Sequence, residues 1–172
     1  MTTHLLLDLF DHMHWADARV WETALQHEAA RDDARMRDNL LHLHGVQRAF
    51  LDTWTNQPFA FRVKYDDTTL LRELAPVQSY YAPAREFLAA LDPRRLTDPL
   101  IVPWTKWAEQ ALGRTVAGTS LGETILQVVM HSTHHRAQAN ARLRVLGVEP
   151  PLVDYIAWLW LGRPLPSWPV VE

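Results

Sequence analysis

The chain of 172 residues contains no cysteine. Disulfides, thiolate metal ligands and a cysteine nucleophile are therefore excluded, and any thiol chemistry needs a cosubstrate. Lysine is nearly absent as well, with Lys64 and Lys106 alone. No basic run occurs and the formal net charge is −3, so the electrostatic footprint of a nucleic-acid binder is missing. The longest apolar runs are too short to span a bilayer. The first residues, interrupted by His4, Asp8 and Asp11, lack the basic flank and apolar core of a signal peptide. The expected setting is cytoplasmic, with neither nucleic acid nor membrane as partner. There is no internal repeat and no low-complexity segment. Tryptophan, at eight, and histidine, at nine, are what the chain holds in abundance. Its length and 48% hydrophobic content predict one domain spanning 1–172 with a real core.

Three of those histidines fall within five residues, in Met130-His131-Ser132-Thr133-His134-His135-Arg136-Ala137-Gln138. The stretch lies inside a helix predicted over about 120–146. Ser120 with Glu123 matches a capping box at its start, Gly147 suits its C-terminal stop, and Pro150-Pro151 blocks continuation. Its core line runs through Leu121, Ile125, Val128, Ser132, Ala139, Leu143 and Leu146. His135 lies about 40° from that line, His131 about 80° and His134 about 140°. Residues four apart share a helix face, so His131 and His135 can address one ion while His134 cannot. Imidazole, largely neutral at pH 7, is the commonest side-chain metal ligand there.

The rest of the chain reads as further helices. In the first, over 3–28, Leu6, Phe10, Met13, Val20 and Ala24 form the apolar stripe, and Asp17 lies on it. A carboxylate there needs a partner, either a structural one or the N–H of a metal-bound histidine. Of His4, His12, His14 and His27, only His14 is near the stripe. After a polar break at 28–33, a second helix covers 33–55. Met36, Leu40, Leu43, Phe50, Leu51 and Trp54 form its large apolar face, with His44 at the edge. His42 lies opposite with Asn39, Gly45, Val46, Ala49 and Thr53, a small-residue side that lets a neighbouring helix approach. Periodicity mildly favours His44 as the inward residue, and the small-residue stripe keeps His42 open. A loop at 56–67 carries Phe59, Phe61 and Tyr65, which could cover one end of a bundle. A third helix spans 68–91, capped by Asp67 or Thr68 and interrupted by Pro76 and Pro83, which can split it in two. The long connection 92–119, with a short hairpin between 99–107 and 114–116, suggests a crossover from one end of a bundle to the other. A short last helix, 152–161, precedes a Pro- and Trp-containing tail.

These motifs together resemble the DinB/YfiT-like family. The 130–138 stretch is similar to the family's last-helix pattern H-x-x-x-H-R-x-Q. His42-Leu43-His44-Gly45-Val46-Gln47 resembles its H-L-x-x-x-E, with Gln47 in place of the acid. Trp15-Ala16-Asp17 resembles its W-A-N, with Asp in place of Asn, and Asp154-Tyr155-Ile156 looks like its tail. The resemblance implies an all-α four-helix bundle, with a long crossover before the last long helix and a short C-terminal helix. It also implies a three-histidine metal site, here His42, His131 and His135, with His44 in reserve. It points to zinc or nickel as the metal, to a low-molecular-weight thiol as a small-molecule partner in some members, and to homodimers in several.

Three neutral nitrogens leave a divalent ion at least one open position, which is the catalytic rather than the structural kind of site. Water or a thiol bound there would be a nucleophile at pH 7. The expected activity is that of a metal-dependent S-transferase, isomerase or hydrolase. The alternative is a non-catalytic metal-binding module with a sensing or stress-related interaction role. A zinc peptidase of the H-E-x-x-H kind is argued against, because Ser132 stands where the glutamate is needed. Gln138 has a plain reading as helix-surface packing. Trp158, Trp160 and Trp168 read as core, with a dimer contact as the other option.

Overall fold

The computed structural model describes residues 2–58 and 65–170. Phe59 and Phe61, expected to cover one end, lie outside the described residues. Helix α1 (Thr3–Gln26) is followed by one helical turn, α2 (Glu28–Arg31), inside the segment expected to be a plain break. Helix α3 (Ala34–Trp54) starts at Asp33, whose carboxylate accepts the Met36 N–H at 2.8 Å.

The expected third helix is two helices, α4 (Leu70–Gln78) and α5 (Tyr81–Ala89). Pro83 has no N–H to give the carbonyl of Ser79, four residues earlier, and its ring crowds that carbonyl. The break falls at Ser79 and Tyr80 accordingly, where the Tyr80 N–H turns to Val77, three residues back. The cap of α4 is Thr69, one residue beyond the expected pair.

The connection 92–119 also differs from its reading. A 3₁₀ turn (Pro93–Thr97) leads into β1 (Pro99–Leu100), which pairs antiparallel with β2 (Thr119–Ser120) rather than with 114–116. Between the strands Thr105–Leu112 forms α6, which Gly113 ends in the left-handed conformation at φ 65°. An eight-residue helix closed by glycine is compact enough to look like a turn in a hairpin.

Helix α7 (Leu121–Val145) carries the capping box as expected: Glu123 N–H donates to Ser120 Oγ, and the Glu123 carboxylate accepts from the Ser120 N–H. At its far end the Val148 N–H reaches the Leu143 carbonyl and the Gly147 N–H the Arg144 carbonyl, the paired bonds of a Schellman stop. Helix α8 (Tyr155–Trp160) begins three residues later than expected.

Helices α3 and α7 share the most extensive contact. Helix α1 packs on α7 and on α5, and α3 packs on α4. Leu6, Met13, Trp21, Leu40, Leu43, Leu70, Leu88, Ile125 and Leu143 are sealed between these elements. Arg142 near the end of α7 pairs with Asp33, the cap of α3, which fixes the two helices antiparallel. On the small side of α3, a Cβ at Gly45 would stand 3.1 Å from the Tyr65 hydroxyl. That hydroxyl donates to the Leu41 carbonyl, so Tyr65 packs on the side of α3. Trp158 is buried against Trp15 and Ala16, and Trp168 donates to His14 Nε2 at 2.9 Å, as the core reading requires. Trp160 departs from it: at 80% exposure it is among the most open apolar side chains, because α8 is a single short helix with one covered face. No helix among the described residues is long and apolar enough to cross a membrane.

Candidate metal centre

The α3–α7 seam brings His42, His131 and His135 together, with one ring nitrogen from each inside a 4.8 Å cluster. His131 and His135 stand one turn apart on α7, their ring centroids 4.3 Å apart. His42 faces them from α3 at 5.2 and 4.7 Å. All three are half-buried. His134 points out to solvent, where Gln138 bonds its ring at 2.8 Å.

Burial, followed by the neighbouring rings, holds His131 down at about 3 and His135 at about 4, and burial lowers His42 as well. All three are therefore neutral at pH 7, the form that ligates. The tautomer of His135 follows from its neighbour. Asn39 Nδ2 donates to the His135 carbonyl at 2.9 Å, so Asn39 Oδ1, at 2.7 Å from His135 Nδ1, must accept. His135 Nδ1 thus carries the proton and Nε2 keeps its lone pair. Asn39 is a site residue the sequence reading placed on the His42 stripe without assigning it a role. Its position three residues before His42 was the available signal.

The buried Nδ1 of His131 has no hydrogen-bond partner. Leaving such an atom unpaired costs about 1–3 kcal/mol. An imidazole set with an orphaned nitrogen, a fixed tautomer and neutral rings fits a divalent transition metal, whose bonds to such nitrogens are about 2.0–2.1 Å. Among the described residues no carboxylate and no fourth histidine joins the cluster.

His44, the reserve candidate, belongs elsewhere. The Trp21 indole, a donor only, gives its N–H to His44 Nε2 at 2.7 Å. His44 Nδ1 must then be protonated, and it donates to Gln47 Oε1 at 2.7 Å. Both nitrogens are consumed. Gln47 Nε2 passes the chain on to Asp17 at 2.9 Å and to Ser132 at 3.0 Å. Asp17 also accepts from Tyr81 and Arg136, each at 2.7 Å. Burial pushes its carboxyl up, but the Arg136 charge and these donors together hold it below the usual carboxylate range. Of the two readings for Asp17, the structural partner is the one realised: no bond runs from it to His42, His131 or His135. Ser132, in the place of a peptidase glutamate, is fully buried in the same network.

Two recesses flank the triad along the seam. Toward the α7 C-terminus, Arg35, Asn39, Gln138, Ala141, Arg142 and Val145 line a shallow groove of about 430 Å³. Toward the α7 N-terminus, a cavity of about 650 Å³ opens beneath α6, with Phe50, Trp104, Thr124 and Gln127 in its wall.

The model of the DinB family matches residues 1–164 of the chain. No curated protein and no solved structure matches it.

Proposed function

The chain belongs to the DinB family, and from that premise we propose that His42, His131 and His135 bind one divalent transition metal, zinc or nickel, in a metal-dependent enzyme. The observation that carries this reading is the convergence of three neutral imidazoles with no fourth protein ligand among the described residues. A divalent ion held there with a free position would acidify water or a thiol, supplying a nucleophile near pH 7. The chain's own part is to present the nitrogens. Asn39 fixes the ring and tautomer of His135, and the α3–α7 packing sets His42 against the α7 pair. No carboxylate stands where a peptidase general base would be, since Ser132 occupies that position and is committed to Gln47. With no cysteine in the chain, the thiol of an S-transfer reaction comes from a low-molecular-weight cosubstrate.

The architecture that supports this site is a four-helix bundle. Helix α1 contacts α5 and α7, and α3 contacts α4 and α7, so the broken pair α4–α5 serves as the third member and 92–119 as the crossover.

Elemental analysis of tag-free protein, purified without a nickel column, tests the proposal beside His135→Ala. The parent retains about one zinc or nickel per chain, as a three-histidine site would, and the variant loses it. A parent that takes up neither metal when it is added removes the reading. A loaded parent that neither changes spectrally nor turns over with glutathione, bacillithiol or mycothiol moves the function to a non-catalytic metal-binding module.

A further inference from the structure

Helix α6 buries none of its residues, although Trp107, Ala108, Ala111 and Leu112 give it ample apolar surface. It stands off from the α3–α7 seam, and the space beneath it is the 650 Å³ cavity. That volume lies within the roughly 300–1,000 Å³ of small-molecule sites. The walls are Phe50, Leu100, Trp104 and Val116, with Phe50 and Trp104 meeting edge to face at 4.9 Å.

The acidic groups at the cavity are already committed. Glu123 is held by the backbone and hydroxyl of Ser120, and Glu109 accepts the Val116 N–H at 3.3 Å. No lysine or arginine lines the cavity. An anion would find no counter-charge, and a cation would have to break a cap. Polar groups in the floor are spent in the same way: Thr124 Oγ1 accepts from Trp54 and donates to the Leu121 carbonyl. Gln127 differs, being exposed with no hydrogen bond to the protein among the described residues. It stands one turn before His131 on the same side of α7, so the end of the cavity lies next to the triad along that helix.

We propose that the cavity under α6 binds an uncharged, largely apolar small molecule, its polar group on Gln127, and presents it to the three-histidine centre as substrate. The proposal rests on the reading of the triad as a metal site. Ring-bearing molecules suit the Phe50–Trp104 corner, and anionic analogues of the same size are rejected.

Fluorine NMR with 4-fluorobenzyl alcohol tests it, using the full chain loaded with Zn2+ or Co2+. The probe's resonance broadens saturably with either metal, and more with paramagnetic Co2+ because the site adjoins the triad. Val116→Glu, at a partly exposed position outside the core, weakens binding about tenfold by placing a charge in the apolar wall. Gln127→Ala weakens it about threefold, the loss of one hydrogen bond. 4-Fluorobenzoate binds at least about tenfold more weakly than the alcohol for want of a counter-charge. Equal binding of alcohol and benzoate, indifference to Val116→Glu with an unchanged melting curve, or probe binding that falls as protein concentration rises each overturns the proposal. The last outcome would mean that a second copy fills the cavity. Failure to load Zn2+ or Co2+ overturns the metal reading and the substrate role with it. A loaded triad that leaves the probe's relaxation no faster with Co2+ than with Zn2+ overturns the cavity's role alone.

Discussion

His131 and Ser132 are consecutive, as are His135 and Arg136, yet each pair divides between two clusters. Ser132 and Arg136 turn inward to Asp17, Gln47, His44, Tyr81 and Trp21, all buried and all bonded. His131 and His135 turn along the seam to His42, half-buried, and the buried Nδ1 of His131 has no hydrogen-bond partner among the described residues. The same two helices therefore build one saturated cluster and one unsaturated cluster, one residue out of phase. A saturated buried network has nothing left to offer a ligand, and it fixes how α1, α3, α5 and α7 meet. An unsaturated cluster of neutral imidazoles has lone pairs to give. The difference lies in donor and acceptor accounting more than in residue type, since histidine appears in both.

The largest expected effect breaks the saturated side. Arg136→Met leaves the Asp17 carboxylate buried without its counter-charge and costs about 3–5 kcal/mol of stability. Urea denaturation of metal-free protein measures it. The double variant Asp17→Asn with Arg136→Met recovers part of the loss, because no unpaired charge then remains buried. If Arg136→Met proves no costlier than an exposed substitution, the network is not what holds the helices and the comparison fails.

A smaller effect sharpens the unsaturated side. Asn39→Ala frees the His135 ring and lets its proton move, which weakens metal binding about 10–100-fold. Its cost in stability is below about 1 kcal/mol, because Asn39 is half-buried and caps nothing. Chelator competition reads the first quantity and denaturation the second. A large loss of stability with unchanged metal affinity would place Asn39 among the structural groups.

The sequence allowed part of this division to be read. The helical period separates His131 and His135 from His134, because it depends only on spacing along α7. The same period put His44 at the edge of the large apolar face, and His44 is indeed buried, but burial does not say which partner waits inside. Trp21 and Gln47 consume both of its nitrogens, while the small-residue side turns His42 toward α7. Only the family motif pointed to His42 before the packing was seen. Asp17 on an apolar stripe announced that it needed a partner, yet Arg136 lies 119 residues away and no local rule names it. His12 shows a similar limit: its ring is buried off the main stripe because the Val153 carbonyl reaches it at 2.9 Å, a contact made by a tail that follows α7. Helix α6 escaped because none of its residues is buried, so it has no apolar stripe matched to the core.

His14 probes the border of the saturated cluster, with the smallest expected effect. It stacks on Tyr81 at 3.9 Å, and Tyr81 in turn donates to Asp17. Burial holds the His14 ring at about 4, below its ordinary 6.5. The unfolded chain takes up the proton near 6.5 and the folded one only near 4, so between those values the unfolded state binds more protons. The contribution of this ring is complete above pH 6.5, falls as pH drops through the window and levels off below about 4. With the ring only partly buried, its share is about 1–2 kcal/mol after allowance for solvent screening. The metal-free triad titrates in the same window, so the readout is the difference between parent and His14→Phe. Phenylalanine keeps the stack on Tyr81, and the acceptor lost to Trp168 is a constant offset above the window. Melting temperatures from pH 7 to 4.5 fall less steeply in the variant. Equal slopes would mean that protons reach His14 freely in the folded protein, and that the closed cluster ends inside Tyr81 rather than at its outer face.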